Sequence, residues 1–123
     1  MSQLQNEPNC IFCKIVRGEI PAKKVYEDDE VIAFNDIRPQ AAVHILVIPK
    51  VHVANLYEAL PVHQSALGKM LLVAGRLARE AGAADGFRTI INNGRVGHQE
   101  VYHVHMHVLG GPEPLGPMLS RRK

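Results

Sequence analysis

The sequence predicts an α+β domain: an antiparallel sheet of about five strands, one long helix and a short N-terminal helix. Three observations lead there. Short β-rich runs alternate with turn residues over 24–48 and 87–109. A single long apolar stripe at helical spacing occupies 61–81. The run His103-Val104-His105-Met106-His107-Val108-Leu109 alternates imidazole with apolar residue, the period of a strand.

Taken in order, residues 1–8 form a loose polar leader, and Cys10 to Arg17 reads as a short helix stopped by Gly18. Lys24 to Tyr26 and Val31 to Phe34 read as strands joined by an exposed acidic turn, Glu27-Asp28-Asp29-Glu30. Asn35 to Gln40 is a loop. Val43 to Ile48 is a buried strand ended by Pro49. The long helix runs from Pro61, suited to a first turn, to Ala81, with Gly82 as its stop. Its stripe comprises Val62, Ala66, Leu67, Met70, Leu71, Ala74, Leu77, Ala78 and Ala81, and His63 is expected to face solvent. Phe87 to Ile91 is the fourth strand, and a Gly- and Asn-rich loop over 92–99 leads to the histidine strand. The domain is placed at 9–118, with 1–8 and 119–123 as flexible tails.

Composition narrows the function classes. At 46% hydrophobic over 123 residues the chain can build one real core, made mainly of aliphatic side chains because aromatics are 5% and Trp is absent. A net charge of +2, spread along the chain, argues against a nucleic-acid groove or a membrane patch. The one basic cluster, Arg121-Arg122-Lys123, reads as a solvated tail. Residues 1–9 lack the apolar centre of a signal peptide, and no apolar run is long enough to span a bilayer. A cytoplasmic protein is expected, in which Cys10 and Cys13 are thiols or metal ligands rather than a disulfide.

In a strand, His103, His105 and His107 share one face, and His105 has an imidazole on each side. Beside a glycine-rich loop able to hold an anion through backbone N–H groups, such imidazoles suit attack on phosphorus. Flanking rings can stabilise charge on the phosphoryl oxygens or carry a proton. The residues alone leave two chemistries open: phosphoryl or nucleotidyl transfer through His105, and zinc-dependent hydrolysis with the three imidazoles as ligands and Glu100 as base.

The same run resembles the signature of the histidine-triad family, His-φ-His-φ-His-φ-φ with φ apolar. The likeness extends over roughly 9–118, through Cys10-Ile11-Phe12-Cys13-Lys14-Ile15, Gly18-Glu19-Ile20-Pro21, Ala33-Phe34-Asn35-Asp36-Ile37, His44-Ile45-Leu46-Val47-Ile48-Pro49-Lys50 and Gln99-Glu100-Val101-Tyr102. It is nearest to the histidine-triad nucleotide-binding proteins of the purine nucleoside phosphoramidase branch, and the tail Leu115-Gly116-Pro117-Met118-Leu119 resembles bacterial members. His107 stands where the nucleotidyl-transferase branch has Gln, which weakens a hexose-phosphate uridylyltransferase reading.

The resemblance implies His105 as the nucleophile that becomes nucleotidylated, His107 as the phosphate contact, His103 as its structural and electrostatic supporter, and His44 as the fourth histidine. It implies Asp36 as the acceptor for the ribose hydroxyls, and Ile11, Phe12, Ile15, Phe34, Ile37 and Leu46 as the slot for the base. Asn92 and Gln99 resemble the phosphate cradle. Glu100 occupies the position of a Ser in animal members, and His98 is a second loop histidine that could approach the phosphate.

Some relatives carry a structural zinc. Here Cys10 and Cys13, one helical turn apart, would be two ligands, with His52 and His103 as the third and fourth; the alternative is a pair of small thiols without metal. The implied activity is hydrolysis of purine nucleoside phosphoramidates, on nucleotides such as AMP or GMP, by a homodimer that needs no cofactor for the chemistry. The rivals are a dinucleoside polyphosphate hydrolase of the same fold and a nucleotide-sensing partner protein with incidental catalysis.

Overall fold

The computed structural model describes residues 9–119; the leader 1–8 and the basic cluster Arg121-Arg122-Lys123 lie outside the described residues. Helix α1 (Ile11–Val16) is followed by β1 (Lys24–Glu27), β2 (Val31–Asn35), β3 (Val43–Pro49), helix α2 (Gln64–Glu80), β4 (Phe87–Ile91) and β5 (Met106–Gly110). The strands form one five-stranded sheet in the order β1-β2-β3-β5-β4, antiparallel at every pairing. Every residue of the central strand β3 is buried, His44 among its apolar neighbours included.

Strand alternation divides β3 and β5 between two layers. Val43, Ile45, Val47, Met106 and Val108 pack with Met70, Val73, Ala74, Leu77 and Ala78 of α2. The opposite face carries Leu46 and Ile48, which join Ile32, Phe34 and Phe12 of α1. Leu46 lies opposite His107, and His44 opposite Leu109, so His44 and His107 are neighbours on the α1 side.

Helix α2 begins later than Pro61 because 61–63 form a single 3₁₀ turn that feeds it. His63 is buried rather than solvated: its Nδ1 accepts the Leu60 N–H at 2.9 Å, closing that turn. The helix ends in a left-handed Gly82 (φ +110°), with Ala83 N–H bonded to Ala78 O and Gly82 N–H to Arg79 O. This pairing satisfies the last carbonyls and brings the chain sharply towards β4.

The acidic turn between β1 and β2 is not uniformly exposed. Asp28 Oδ1 accepts the N–H groups of Glu30 and Val31, both at 2.8 Å. Its Oδ2 accepts from Tyr26 Oη at 2.6 Å and from Lys69 Nζ at 3.0 Å. Burial pushes this carboxyl up, but those four donors outweigh it and hold Asp28 well below the usual carboxylate range. The side chain thus shapes the hairpin and ties it to α2. Replacing Asp28 with Ala is expected to cost about 2 kcal/mol, since hydrogen bonds to a charged group contribute roughly 1.5–3 kcal/mol. Urea unfolding measures this, and an unchanged midpoint would refute the assignment.

Candidate functional site

Alternation of the histidine run persists upstream of the ladder, although β5 itself starts only at Met106. Val104 leaves the sheet because its N–H bonds to Val53 O at 2.7 Å instead of to β3. Val104, Met106 and Val108 are nonetheless fully buried on one side. His103 and His105 lie on the α1 side, their rings 5.9 and 5.1 Å from that of Phe12.

The tautomer of each ring follows from its partners. A carbonyl can only accept, so the 2.9 Å contact of His105 Nδ1 with His103 O places the proton on Nδ1. The lone pair of His105 is therefore on Nε2, which has no protein partner among the described residues. At His44, Nδ1 accepts the Gln40 N–H at 3.0 Å, so the proton sits on Nε2. That N–H faces His107 Nδ1 at 2.9 Å and Asp36 Oδ2 at 3.4 Å. His107 consequently accepts at Nδ1 and carries its own proton on Nε2. The rings of His105 and His107 are 5.1 Å apart. One face thus presents a bare nitrogen beside an N–H donor, which suits attack on a centre whose oxygens need a hydrogen bond.

Burial keeps His44, His103 and His107 neutral. Burial pushes His107 down to about 4, assisted by His105 and His44 and opposed by Asp36 and Glu100. Burial also lowers His44, against the pull of Asp36. His103 falls to about 4 for the same reason, opposed by its bond to Pro49 O. It therefore brings no positive charge to the neighbouring rings.

Around the histidines, Phe12, Phe34 and Leu46 are packed into the core, whereas Ile37 is 91% exposed and free to cover something that enters beside Asp36. Asp36 Oδ1 accepts the Arg38 N–H at 2.8 Å, which fixes the carboxylate in its loop. Asn92 is half-buried at the end of β4 and makes no hydrogen bond among the described residues. Gln99 is a correction. Its Oε1 accepts from Asn55 Nδ2 and Gly94 N–H, and its Nε2 donates to Ala54 O and Val101 O. The amide is saturated within the protein, so Gln99 braces the loop instead of contacting a phosphate. Gly97 completes that loop: a Cβ there would meet Asn93 O at 2.5 Å. His98 does not turn inward; it is exposed and pairs with Glu100 at 3.1 Å.

Asn55 escaped the sequence reading. Its Oδ1 caps the turn at Leu56–Glu58 by accepting the Tyr57 N–H, and its Nδ2 holds Gln99. An Asn directly before a short helical turn is a capping signal that could have identified it. The roles of the Gln40 N–H and Pro49 carbonyl leave no such trace, because they are backbone groups.

A second cluster lies behind the first. Cys10, Cys13, His52 and His103 bring one ligand atom each to within 4.8 Å of one another. Cys13 Sγ is 3.3 Å from His52 Nδ1 and 3.5 Å from His103 Nδ1, and Cys10 Sγ is 3.4 Å from His103 Nδ1. A tetrahedral zinc with its usual bond lengths sets S···N edges at about 3.5 Å, so the donor set fits the ion. His103 Nε2 meets Pro49 O at 2.8 Å, which puts the proton on Nε2 and the lone pair on Nδ1, towards the sulfurs. Four protein ligands leave no open position for a substrate.

The neutral imidazoles make stability depend on pH. An unfolded histidine takes up a proton near 6.5, whereas His107 resists to about 4. Between these values the unfolded chain binds more protons, so stability falls as pH drops from about 6.5 to about 4. Urea midpoints across that range are expected to fall in the wild type and to fall less in His107→Gln; equal slopes would refute the assignment.

Comparison with known proteins places the chain in a family. A family model described as HIT domain matches residues 17–113. A protein of Escherichia coli strain K12 named purine nucleoside phosphoramidase is 52% identical over 113 residues, 91% of this chain and 94% of that one. Among solved structures, a HIT family hydrolase from Clostridium thermocellum superposes with a TM-score of 0.88 at 41% identity, covering 94% of this chain and all of its own. A zinc-bound histidine triad family protein from Mycobacterium smegmatis gives 0.75 at 38% identity, covering 94% and 82%. With its imidazole run inside the matched segment and its fold shared with these structures, the chain belongs to the HIT domain family.

Proposed function

We propose that this protein hydrolyses purine nucleoside phosphoramidates, such as AMP or GMP joined to an amine, through a nucleotidyl-histidine at His105. The observation that carries the reading is the His105 ring, with Nδ1–H fixed on His103 O and Nε2 without a protein partner among the described residues. The E. coli relative named purine nucleoside phosphoramidase supports the substrate class.

His105 Nε2 attacks the α-phosphorus and forms a P–N bond, while the bond from phosphorus to the amine breaks and the amine leaves with its electrons, taking a proton from solvent on the open side of the pocket. The ring is then cationic, and the His103 carbonyl stabilises the N–H it already holds. His107 Nε2–H donates to a non-bridging oxygen, aligned by His44 and Asp36. Water next cleaves the nucleotidyl-histidine, releasing the nucleoside monophosphate and restoring His105. Asp36 accepts from the ribose hydroxyls with the lone pairs that Arg38 leaves over. Phe12, Phe34, Leu46 and Ile37 contact the base, and Asn92 with the adjoining backbone holds phosphate. None of these steps uses a cofactor.

We assign Cys10, Cys13, His52 and His103 to a structural zinc, supported by their spacing and by the zinc-bound M. smegmatis relative. When bound, the ion fastens α1 to the chain before β5. We place the protein in the cytoplasm, where two closely spaced thiols stay reduced; no helix among the described residues is long and apolar enough to cross a membrane. We also propose a homodimer. It would join the exposed Leu71 and Leu72 of α2, 61% and 79% exposed, and the edge strand β4, with Phe87 exposed beside Gly75 of α2, across a two-fold axis.

Incubation with adenosine 5′-phosphoramidate is expected to give turnover by the wild type and a loss of roughly 10³-fold or more in His105→Ala. A quenched reaction should place the nucleotidyl adduct on the peptide bearing His105. Wild-type inactivity, or an adduct elsewhere, would sink the proposal. Metal analysis should find one zinc per chain, absent from Cys13→Ser. Sedimentation should show a dimer that Leu72→Glu weakens at least ~10-fold, the loss expected from burying a charge in an apolar contact; a wild-type monomer refutes the interface.

A further inference from the structure

The two clusters share one peptide unit. The carbonyl of the His103–Val104 peptide accepts His105 Nδ1–H at 2.9 Å, and its N–H donates to Val53 O at 2.7 Å. His103, on the carbonyl side, has its ring held at both nitrogens, by Pro49 O and by the two sulfurs. The N–H side ends on Val53, whose neighbour in sequence is His52, the other imidazole of the cluster. Both histidines of the thiol cluster thus flank the peptide that decides which nitrogen of His105 is protonated.

A second contact runs through α1. Cys10 Sγ accepts the Cys13 N–H at 3.2 Å, and both thiols turn towards His103. Phe12, between them in sequence, is 7% exposed and lies edge-on to His105, with the ring planes at 83°. Phe34 backs it at 5.8 Å. A ring set this way adds to the Nδ1–H bond in limiting rotation of His105 about χ2, a torsion that is broad when uncontacted.

We infer that the Cys10–Cys13–His52–His103 cluster is a positioning device for the nucleophile, fixing the His103–Val104 peptide and the Phe12 ring so that His105 keeps one tautomer and one orientation. This rests on the reading of His105 as nucleophile. The cluster residues touch neither substrate nor phosphorus; they act through the peptide and the ring. Loosening them leaves the sheet intact and misaligns the attacking nitrogen, a displacement that can cost ~10²-fold in rate.

The test uses the full-length, ligand-free protein with ¹⁵N-labelled histidine, observed by imidazole NMR, with His105→Ala to assign its signals. Wild-type His105 should show the Nδ1–H tautomer alone. In Cys13→Ser, and in Phe12→Leu with all four cluster residues retained, its signals should move or broaden while those of His44 and His107 stay in place. With adenosine 5′-phosphoramidate, kcat should fall ~10–100-fold, more than KM rises. His105 signals that superpose on the wild type in folded variants overturn the inference, as do shifted signals with kcat within about twofold of wild type. Should Cys13→Ser not fold, Cys10→Ser decides in its place by the same readouts, since Phe12→Leu leaves the cluster intact. Metal analysis of the same samples keeps the readings separate. A wild type without zinc overturns the zinc assignment only, and one without turnover overturns the phosphoramidase reading, while the ring signals still decide the positioning.

Discussion

The bond from Val104 N–H to Val53 O takes the chain out of the sheet two residues before β5 begins. Had that N–H joined the ladder, His103 would stand in the strand like His107, with its ring over the sheet. Released, it reaches the two thiols on one side and Pro49 on the other, and its carbonyl turns to His105. The layers beneath make the excursion affordable. Val104, Met106 and Val108 stay buried on the α2 side, so the apolar half of the run remains in the core while the polar half changes partners.

Placing this much imidazole beneath the surface is costly unless each ring has hydrogen-bond partners. The arrangement solves this with backbone groups: the Gln40 N–H, the Pro49 carbonyl and the His103 carbonyl each fix one ring nitrogen. Backbone groups do not titrate, so each tautomer is set by a partner whose own protonation does not change. Burial reinforces them by disfavouring the charged rings, and Asp36 counters that at His44 and His107 only in part.

Much of this was legible in the sequence because two patterns have strict periods. Alternation over 103–109 put the three histidines opposite Val104, Met106 and Val108, and the stripe over 61–81 identified the helix that covers them. The Cys-x-x-Cys spacing, with His52 and His103 as companions, named the second cluster that the fold assembles. Contacts between distant segments were not legible. The late start of β5 depends on a bond from residue 104 to residue 53. Gln99 looked like a ligand for phosphate because a polar side chain in a glycine-rich loop does not reveal that four protein groups already claim it. His63 was misplaced for a related reason: its Nδ1 closes a turn that no helical period describes.

The series from Gln40 through His44 to His107 runs in one direction only. Were His107 to give its Nε2 proton to a departing group, it would have to draw another from His44, and His44 in turn from Gln40. The Gln40 donor is a peptide amide, which does not release its proton near neutral pH. The relay is a dead end: it can align His107 as a donor but cannot refill it. A proton consumed at the phosphorus must therefore arrive from the open side of the pocket, and the interior of the protein supplies orientation alone.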